Sequence, residues 1–187
     1  MTWRSSVPAA DYFREVGGRP HITTWVSLRE SEALHRAARE HPRILEVGSQ
    51  WGYSTVLMAR TGAHVTAVDP HADHGSWGVF FQNVRSHNVL HNVAPVRDYS
   101  QRVLPGLTAG MFDMAFIDGD HDEAVAAFDC REARRLVRPG GLIAVHDYSR
   151  VAWPGVVRAV DRELAGIPHR VIETLYLATL AGVDSAP

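Results

Sequence analysis

The run Arg43-Ile44-Leu45-Glu46-Val47-Gly48-Ser49-Gln50-Trp51-Gly52-Tyr53-Ser54 constrains the fold more than any other part of the chain. A short apolar stretch closed by an acid leads into a glycine loop, and the loop ends on a residue suited to open a helix. Open α/β sheets build nucleotide-cofactor crevices in this way, because the strand ends at the ligand and the glycines let backbone amides approach it. The spacing is Glu-x-Gly-x-x-x-Gly-x-Ser, which does not fit the Gly-x-Gly-x-x-Gly dinucleotide fingerprint.

Around this run the hydrophobic pattern alternates between strand and helix periods. Ser27-x-x-Glu30 reads as a capping box that opens a helix to about Glu40, with Leu28, Leu34, Ala37 and Ala38 inward. Strands are expected over 43–47, 64–69, 94–97, 113–118 and 142–147, and helices over 54–60, 77–87, 101–104, 123–136 and 154–165. Arg138-Pro139-Gly140-Gly141 is read as a turn, and Pro154 as the first residue of its helix. Residues 169–181 hold two apolar runs too close together for a crossover, so the last two strands are expected to be antiparallel neighbours. Nearly continuous apolar strands separated by helices predict an α/β fold, with a mostly parallel sheet covered on both faces.

At 187 residues the chain is expected to form one compact domain with a real core. Nineteen basic against 21 acidic residues leave a formal charge of -2, which gives no reason to expect nucleic acid as a partner. The single Cys130 excludes an internal disulfide and agrees with a reducing cytoplasm. No signal-like segment opens the sequence, and no window approaches the roughly 20 apolar residues of a membrane span, so a cytoplasmic protein without membrane attachment is expected. Of the 11 histidines most are expected at the surface, but His121 and His146 stand where chemistry is anticipated.

Gly52-Tyr53-Ser54, the run Asp118-Gly119-Asp120-His121 and the later His146-Asp147-Tyr148 resemble the class I S-adenosylmethionine-dependent methyltransferases. Within that class the match is to the branch of catechol and macrolide-sugar O-methyltransferases, over about residues 43–150. The resemblance implies a Rossmann-like three-layer sandwich whose seven-stranded, mostly parallel sheet has one antiparallel strand near the C-terminus. A methyltransferase domain over 41–187 would then carry an N-terminal helical cover, 1–40, that shields the site or forms a homodimer surface.

Ligands of open parallel sheets bind outside the carboxyl ends of the strands. Glu46, Asp69, Arg97 to Ser100, Asp118 and His146-Asp147 stand at five such ends. The resemblance implies S-adenosylmethionine contacts at Glu46, Gly48, Gly52, Tyr53, Ser54, Asp69, Asp98, Tyr99, Ser100 and Asp118. Gly48 and Gly52 would bring amides to the cofactor carboxylate, Ser54 would donate to it, and Glu46 would set negative charge near the ammonium. Asp69 suits the ribose diol, while Asp98, Tyr99 and Ser100 fall where the family holds adenine, with Trp77 either stacked on that ring or part of the rim.

Asp118 and Asp147 match the carboxylates that bind a divalent cation, with Mg²⁺ expected. His146 stands where other branch members carry an acid and is the candidate third ligand, which would favour Mn²⁺ or Zn²⁺. Tyr148 replaces the asparagine of the catechol enzymes. His121 aligns with their general-base lysine and is the catalytic candidate. Plainer roles stay open: Asp69 and Asp118 as caps, and His121 and His146 as ordered loop residues. The expected activity is metal-dependent O-methylation of a small phenolic or sugar acceptor. The alternatives are a metal-independent N-, C- or O-methyltransferase and a non-catalytic cofactor-binding protein. The acceptor pocket is expected from residues 1–30, the segment His71, Asp73, His74 and Trp77, and the segment Tyr148 to Pro154 with Trp153.

Overall fold

The computed structural model describes residues 20–73 and 75–182. Expectations placed on residues 1–19 and on His74 lie outside that range. Helix α1 (Leu28–Glu40) begins with the expected capping box: the Ser27 side chain accepts from the Glu30 amide, and the Glu30 side chain accepts from the Ser27 amide. Leu34, Ala37 and Ala38 are buried as the helical period requires, whereas Leu28 is exposed. Then come β1 (Arg43–Val47), α2 (Tyr53–Ala59), β2 (His64–Val68), α3 (Ser76–Ser86), β3 (Val93–Val96) and α4 (Ser100–Val103). The chain continues through β4 (Phe112–Ile117), α5 (Glu123–Leu136), β5 (Val137–Val145), α6 (Pro154–Glu163), β6 (His169–Ile172) and β7 (Leu175–Thr179).

The seven strands form one sheet in the order β3-β2-β1-β4-β5-β7-β6. All pairs from β3 to β5 are parallel, and β7 runs antiparallel to both β5 and β6, so it is the one reversed strand. One face packs Ile44, Met114, Phe116 and Leu177 against α1, α2 and α3 through Leu34, Leu57 and Phe80. The opposite face packs Leu45, Ala115, Ile143 and Tyr176 against α5 and α6 through Ala126, Cys130, Leu136 and Val160. Side chains of a strand alternate between faces, so both sets come from the same central strands and the sandwich has three layers.

The stretch Arg138 to Gly141, expected as a turn, lies inside β5 instead. Phe112 pairs with Val137 while Met114 pairs with Leu142, so the extra residues bulge out of the ladder rather than ending it. Chain direction reverses between β1 and β4: the strands before β4 progress one way across the sheet and the later ones the other way. The crevice outside this switch point is where an open α/β sheet takes a ligand.

At the opposite end of β4, buried Asp113 accepts from the Arg43 amide and Nε at 3.0 Å each, from Arg43 Nη2 at 2.9 Å and from Arg138 Nε at 2.6 Å. These partners hold its carboxyl well below the usual carboxylate range. A depressed folded-state pKa means that the stabilisation is present above the unfolded value and is lost progressively as pH falls from there through the folded value. Asp113→Asn is expected to lower the urea midpoint at neutral pH. The gap to wild type should shrink below about pH 4, where the unfolded carboxyl protonates; an equal gap at both pH values would refute the assignment.

Candidate active site

A cavity of about 510 Å³ opens at the carboxyl ends of the central strands, within the range of roughly 300–1,000 Å³ usual for small-molecule sites. Its walls include Gly48, Ser49 and Gln50 after β1, Asp69 and His71 after β2, Tyr99 to Gln101 after β3, Asp118 to His121 after β4, and His146 and Asp147 after β5. Five strand ends thus meet on one crevice. Gln50, His71 and Asp147 have positive φ values of 41°, 47° and 59°, so strained backbone gathers around this rim.

The loop after β1 lies directly on the loop after β4. Gly48 has φ +86°, and a Cβ there would sit 2.0 Å from the Asp118 carbonyl oxygen, so no other residue fits. The Asp118 amide donates to the Val47 carbonyl at 2.8 Å, and the Gly48 amide to the Val68 carbonyl at 2.9 Å. The buried Ser49 hydroxyl has no hydrogen-bond partner among the described residues. Asp69 accepts from the Gln50 amide at 2.8 Å and the His71 amide at 2.6 Å, one bond on each carboxylate oxygen.

Other sequence-predicted residues take different places. Glu46 is fully buried beneath the loop and outside the cavity wall, where Ser54 Oγ donates to it at 2.5 Å and Thr55 Oγ1 also donates. The Ser54 hydroxyl is therefore committed to Glu46. Burial pushes the Glu46 carboxyl up to about 8 against those two hydrogen bonds, so near neutrality it is mostly protonated and offers little negative charge. The Glu46 side chain thus stands behind the cavity wall rather than in it. Gly52 is the left-handed cap of α2 and packs on Phe80, away from the cavity. Tyr53 lines the cavity and shares a 2.8 Å hydrogen bond with Ser31. Asp98 turns to the Tyr99 amide at 2.7 Å and Arg102 at 3.3 Å, outside the wall that Tyr99 and Ser100 form. Trp77 packs with Phe80 and Phe81 as part of the rim cluster.

The polar cluster at the other end of the cavity is tightly connected. Asp118, His146 and Asp147 bring ligand atoms within 4.8 Å of one another. His146 Nδ1 lies 3.0 Å from Asp118 Oδ1 and 3.5 Å from Asp147 Oδ2. Its Nε2 faces Glu30 Oε2 at 3.3 Å. Burial opposes a charged imidazole here, but the three carboxylates push His146 up to about 12. Asp147 is drawn well below its usual range by His121 and His146 despite burial, whereas burial raises Asp118. His121 Nε2 donates to Asp147 Oδ2 at 2.8 Å, which raises the imidazole pKa. The ring stacks on Trp153 with centroids 3.9 Å apart. Gly155 lets α6 approach this loop, since a Cβ there would lie 3.0 Å from the His121 carbonyl. Trp25 and Trp51, 5.9 Å apart, add two more rings to the cavity wall.

With this geometry the relatives are informative. A family model described as a methyltransferase domain matches residues 45–148. The chain belongs to that family. A catechol O-methyltransferase of Mycobacterium tuberculosis is 32% identical over 134 residues, covering 70% of this chain. The chain spans 59% of the length of that curated relative. Among solved structures, cofactor-bound Rv0187 from MTB superposes with a TM-score of 0.70 at 25% identity, covering 93% of this chain and 88% of the other. The O-methyltransferase TomG of Streptomyces achromogenes, involved in tomaymycin synthesis and solved with S-adenosylmethionine, gives 0.65 at 22% identity over the same shares, which supports the fold.

Glu30 is the site residue that sequence reasoning missed. Its capping-box spacing was legible, but nothing local reveals a partner 116 residues away. Gln101, Asp120 and buried Asp129 also line the cavity without having been singled out for it. Among the described residues no helix is long and apolar enough to cross a membrane.

The buried acid beneath the loop makes stability pH-dependent with a defined sign. The folded pKa of Glu46 lies above its ordinary 4.5, so the folded protein retains a proton that the unfolded chain releases, and stability falls as pH rises from there to about 8. Glu46→Gln is expected to flatten the decline of the urea midpoint between about pH 5 and about pH 8. An identical slope in the variant would exclude Glu46 as its source.

Proposed function

We propose that the protein is an S-adenosylmethionine-dependent O-methyltransferase that uses a divalent cation to methylate a small hydroxylated acceptor, phenolic or sugar. The observation that carries this reading is the convergence of Asp118, His146 and Asp147 on the cavity that also holds the Gly48 loop and Asp69, with His121 hydrogen-bonded to Asp147. Family membership and the catechol O-methyltransferase relative support it.

The residues present fit both groups. Each Asp69 oxygen already accepts one backbone amide and keeps a lone pair for a ribose hydroxyl. The unpartnered Ser49 hydroxyl and the adjoining loop amides suit a carboxylate. Two carboxylates and one imidazole within 4.8 Å suit a divalent cation, with Mn²⁺ accommodated at least as well as Mg²⁺ by the nitrogen donor. When bound, S-adenosylmethionine supplies an electrophilic methyl and the cation makes a substrate hydroxyl more acidic.

This chain's residues do the rest. Asp118, Asp147 and His146 would hold the cation at the end of the cavity opposite Asp69 and so set the distance between acceptor and cofactor. With its Nε2 proton donated to Asp147, His121 has Nδ1 free to take the proton of the acceptor hydroxyl. Trp153 holds the plane of that imidazole, while Trp25 and Trp51 provide flat walls against which the acceptor would lie. Alignment of two bound reactants is the main contribution asked of the protein. We assign residues 20–40, the described part of the expected 1–40 cover, the role of a cover over this cavity, since residues 23–26 line it and α1 reaches His146 through Glu30.

A metal-independent methyltransferase is the second reading, favoured by the 2.8 Å His121–Asp147 pair, which forms an oriented base without an ion. One assay separates the two. Turnover of S-adenosylmethionine with a panel of catechols and hydroxylated sugars is expected to vanish in EDTA and return with Mg²⁺ or Mn²⁺. Asp147→Ala should lower kcat on the order of 10²-fold, the scale of a lost electrostatic stabiliser. Full activity in chelator would overturn the metal part. Calorimetric cofactor binding without turnover across the panel would favour a binding protein.

A further inference from the structure

Glu30 is 2% exposed and every hydrogen bond it accepts is accounted for. Oε1 accepts from the Thr174 amide at 2.8 Å and the Thr174 hydroxyl at 2.7 Å. Oε2 accepts from the Ser27 amide at 2.9 Å and faces His146 Nε2 at 3.3 Å. Three of these four contacts come from groups with no part in the cavity chemistry: a helix cap and the turn between β6 and β7. Their combined effect is a carboxylate that cannot rotate away from the imidazole.

From this geometry we infer that Glu30 is a positioning residue: it holds the proton of His146 on Nε2 and thereby presents Nδ1 as the ligand nitrogen toward Asp118 and Asp147. The inference rests on the divalent-cation reading of that cluster. An imidazole has two nitrogens, and which one meets an ion is set by the hydrogen bond that the other makes. Here the choice is unambiguous. Nδ1 lies 3.0 Å from Asp118 and 3.5 Å from Asp147, on the cavity side, while Nε2 points into the layer between α1 and the sheet. A residue at position 30 unable to accept a hydrogen bond would leave Nε2 buried without a partner. The ring would then be free to turn, and once an ion displaced the Nδ1 proton nothing would hold the remaining one on Nε2.

The arrangement also explains how a histidine can serve where an acid would otherwise stand. An acid at position 146 would place a third negative charge beside Asp118 and Asp147. The Glu30–His146 pair keeps that charge on the far side of an imidazole, so the ring delivers a neutral nitrogen donor. Outer partners of this kind typically contribute about 10–100-fold in metal affinity.

The test uses the full chain and Mn²⁺ alone, with no acceptor or cofactor. Binding is followed by electron paramagnetic resonance titration, and nitrogen ligation by ¹⁴N electron spin-echo modulation of the bound ion. Wild type is expected to bind one Mn²⁺ with imidazole-type ¹⁴N modulation. Glu30→Ala should weaken binding by about 10–100-fold and diminish the modulation, and Glu30→Gln, which keeps an amide oxygen as acceptor, should recover part of both. Loss of a helix cap alone would lower Tm without changing the modulation. Should Glu30→Ala fail to fold, Thr174→Val leaves the cap intact, loosens the carboxylate and should shift affinity in the same direction. Unchanged affinity and modulation in the variants, with wild type binding normally, would overturn the role of Glu30 alone. Absence of Mn²⁺ binding by wild type would overturn the cation reading itself.

Discussion

The site depends on the contact between two backbone loops at the centre of the sheet. Gly48 approaches the Asp118 carbonyl so closely that a single methyl group would displace one of the loops. Parallel pairing of β1 with β4 drives them together, since Val47 and Ile117 are register partners and both strands end there. The Val47 carbonyl then accepts from the Asp118 amide, which fixes the direction in which the Asp118 side chain leaves the sheet. The Asp69 end of the cavity and the Asp118 end are thus two sides of one joint. A shift at Gly48 moves both.

Charge balance is the second organising constraint. Glu30, Asp118 and Asp147 surround one buried imidazole, and a second imidazole, His121, neutralises Asp147 from the cavity side. Without these partners three carboxylates in so small a volume would be too costly to bury. Those carboxylates push the His146 imidazole up to about 12 against the effect of its burial. Glu46 resolves the same problem differently: among the described residues no base stands beside it, so it is retained as a largely neutral acid bonded to two hydroxyls. Glu46 and Asp118, at adjacent strand ends, are thus both raised by burial but meet different partners, two hydroxyls in one case and an imidazole in the other.

Most of the architecture was legible because it follows from periodicity and turn chemistry. The Ser27–Glu30 capping box, the apolar runs of β1, β4 and β5, and the helix opened by Pro154 are local signals, and the structure places each where they indicate. The bulge over Arg138 to Gly141 was read as a turn because Pro-Gly-Gly has turn chemistry; only pairing with Phe112 and Met114 makes it part of a strand. Asp118, His146, Asp147 and His121 stood out from their positions at two strand ends, and the structure brings their side chains together. Side-chain direction was harder to read. Glu46 and Ser54 satisfy each other, and Asp98 caps its own turn, outcomes that depend on rotamers and on neighbours distant in sequence.

The linear order of residues was sufficient for the alternation of strands and helices, the glycine loop, the reversed final strand and the set of polar residues at strand ends. These are properties of segments shorter than about 15 residues, within which backbone propensity and pattern act. Tertiary structure alone decided which polar side chains face the cavity, which are neutralised beneath it, and that a capping glutamate reaches a histidine 116 residues away. Burial and long-range pairing set the protonation and direction of a buried acid or base, and neither exists until the layers have packed.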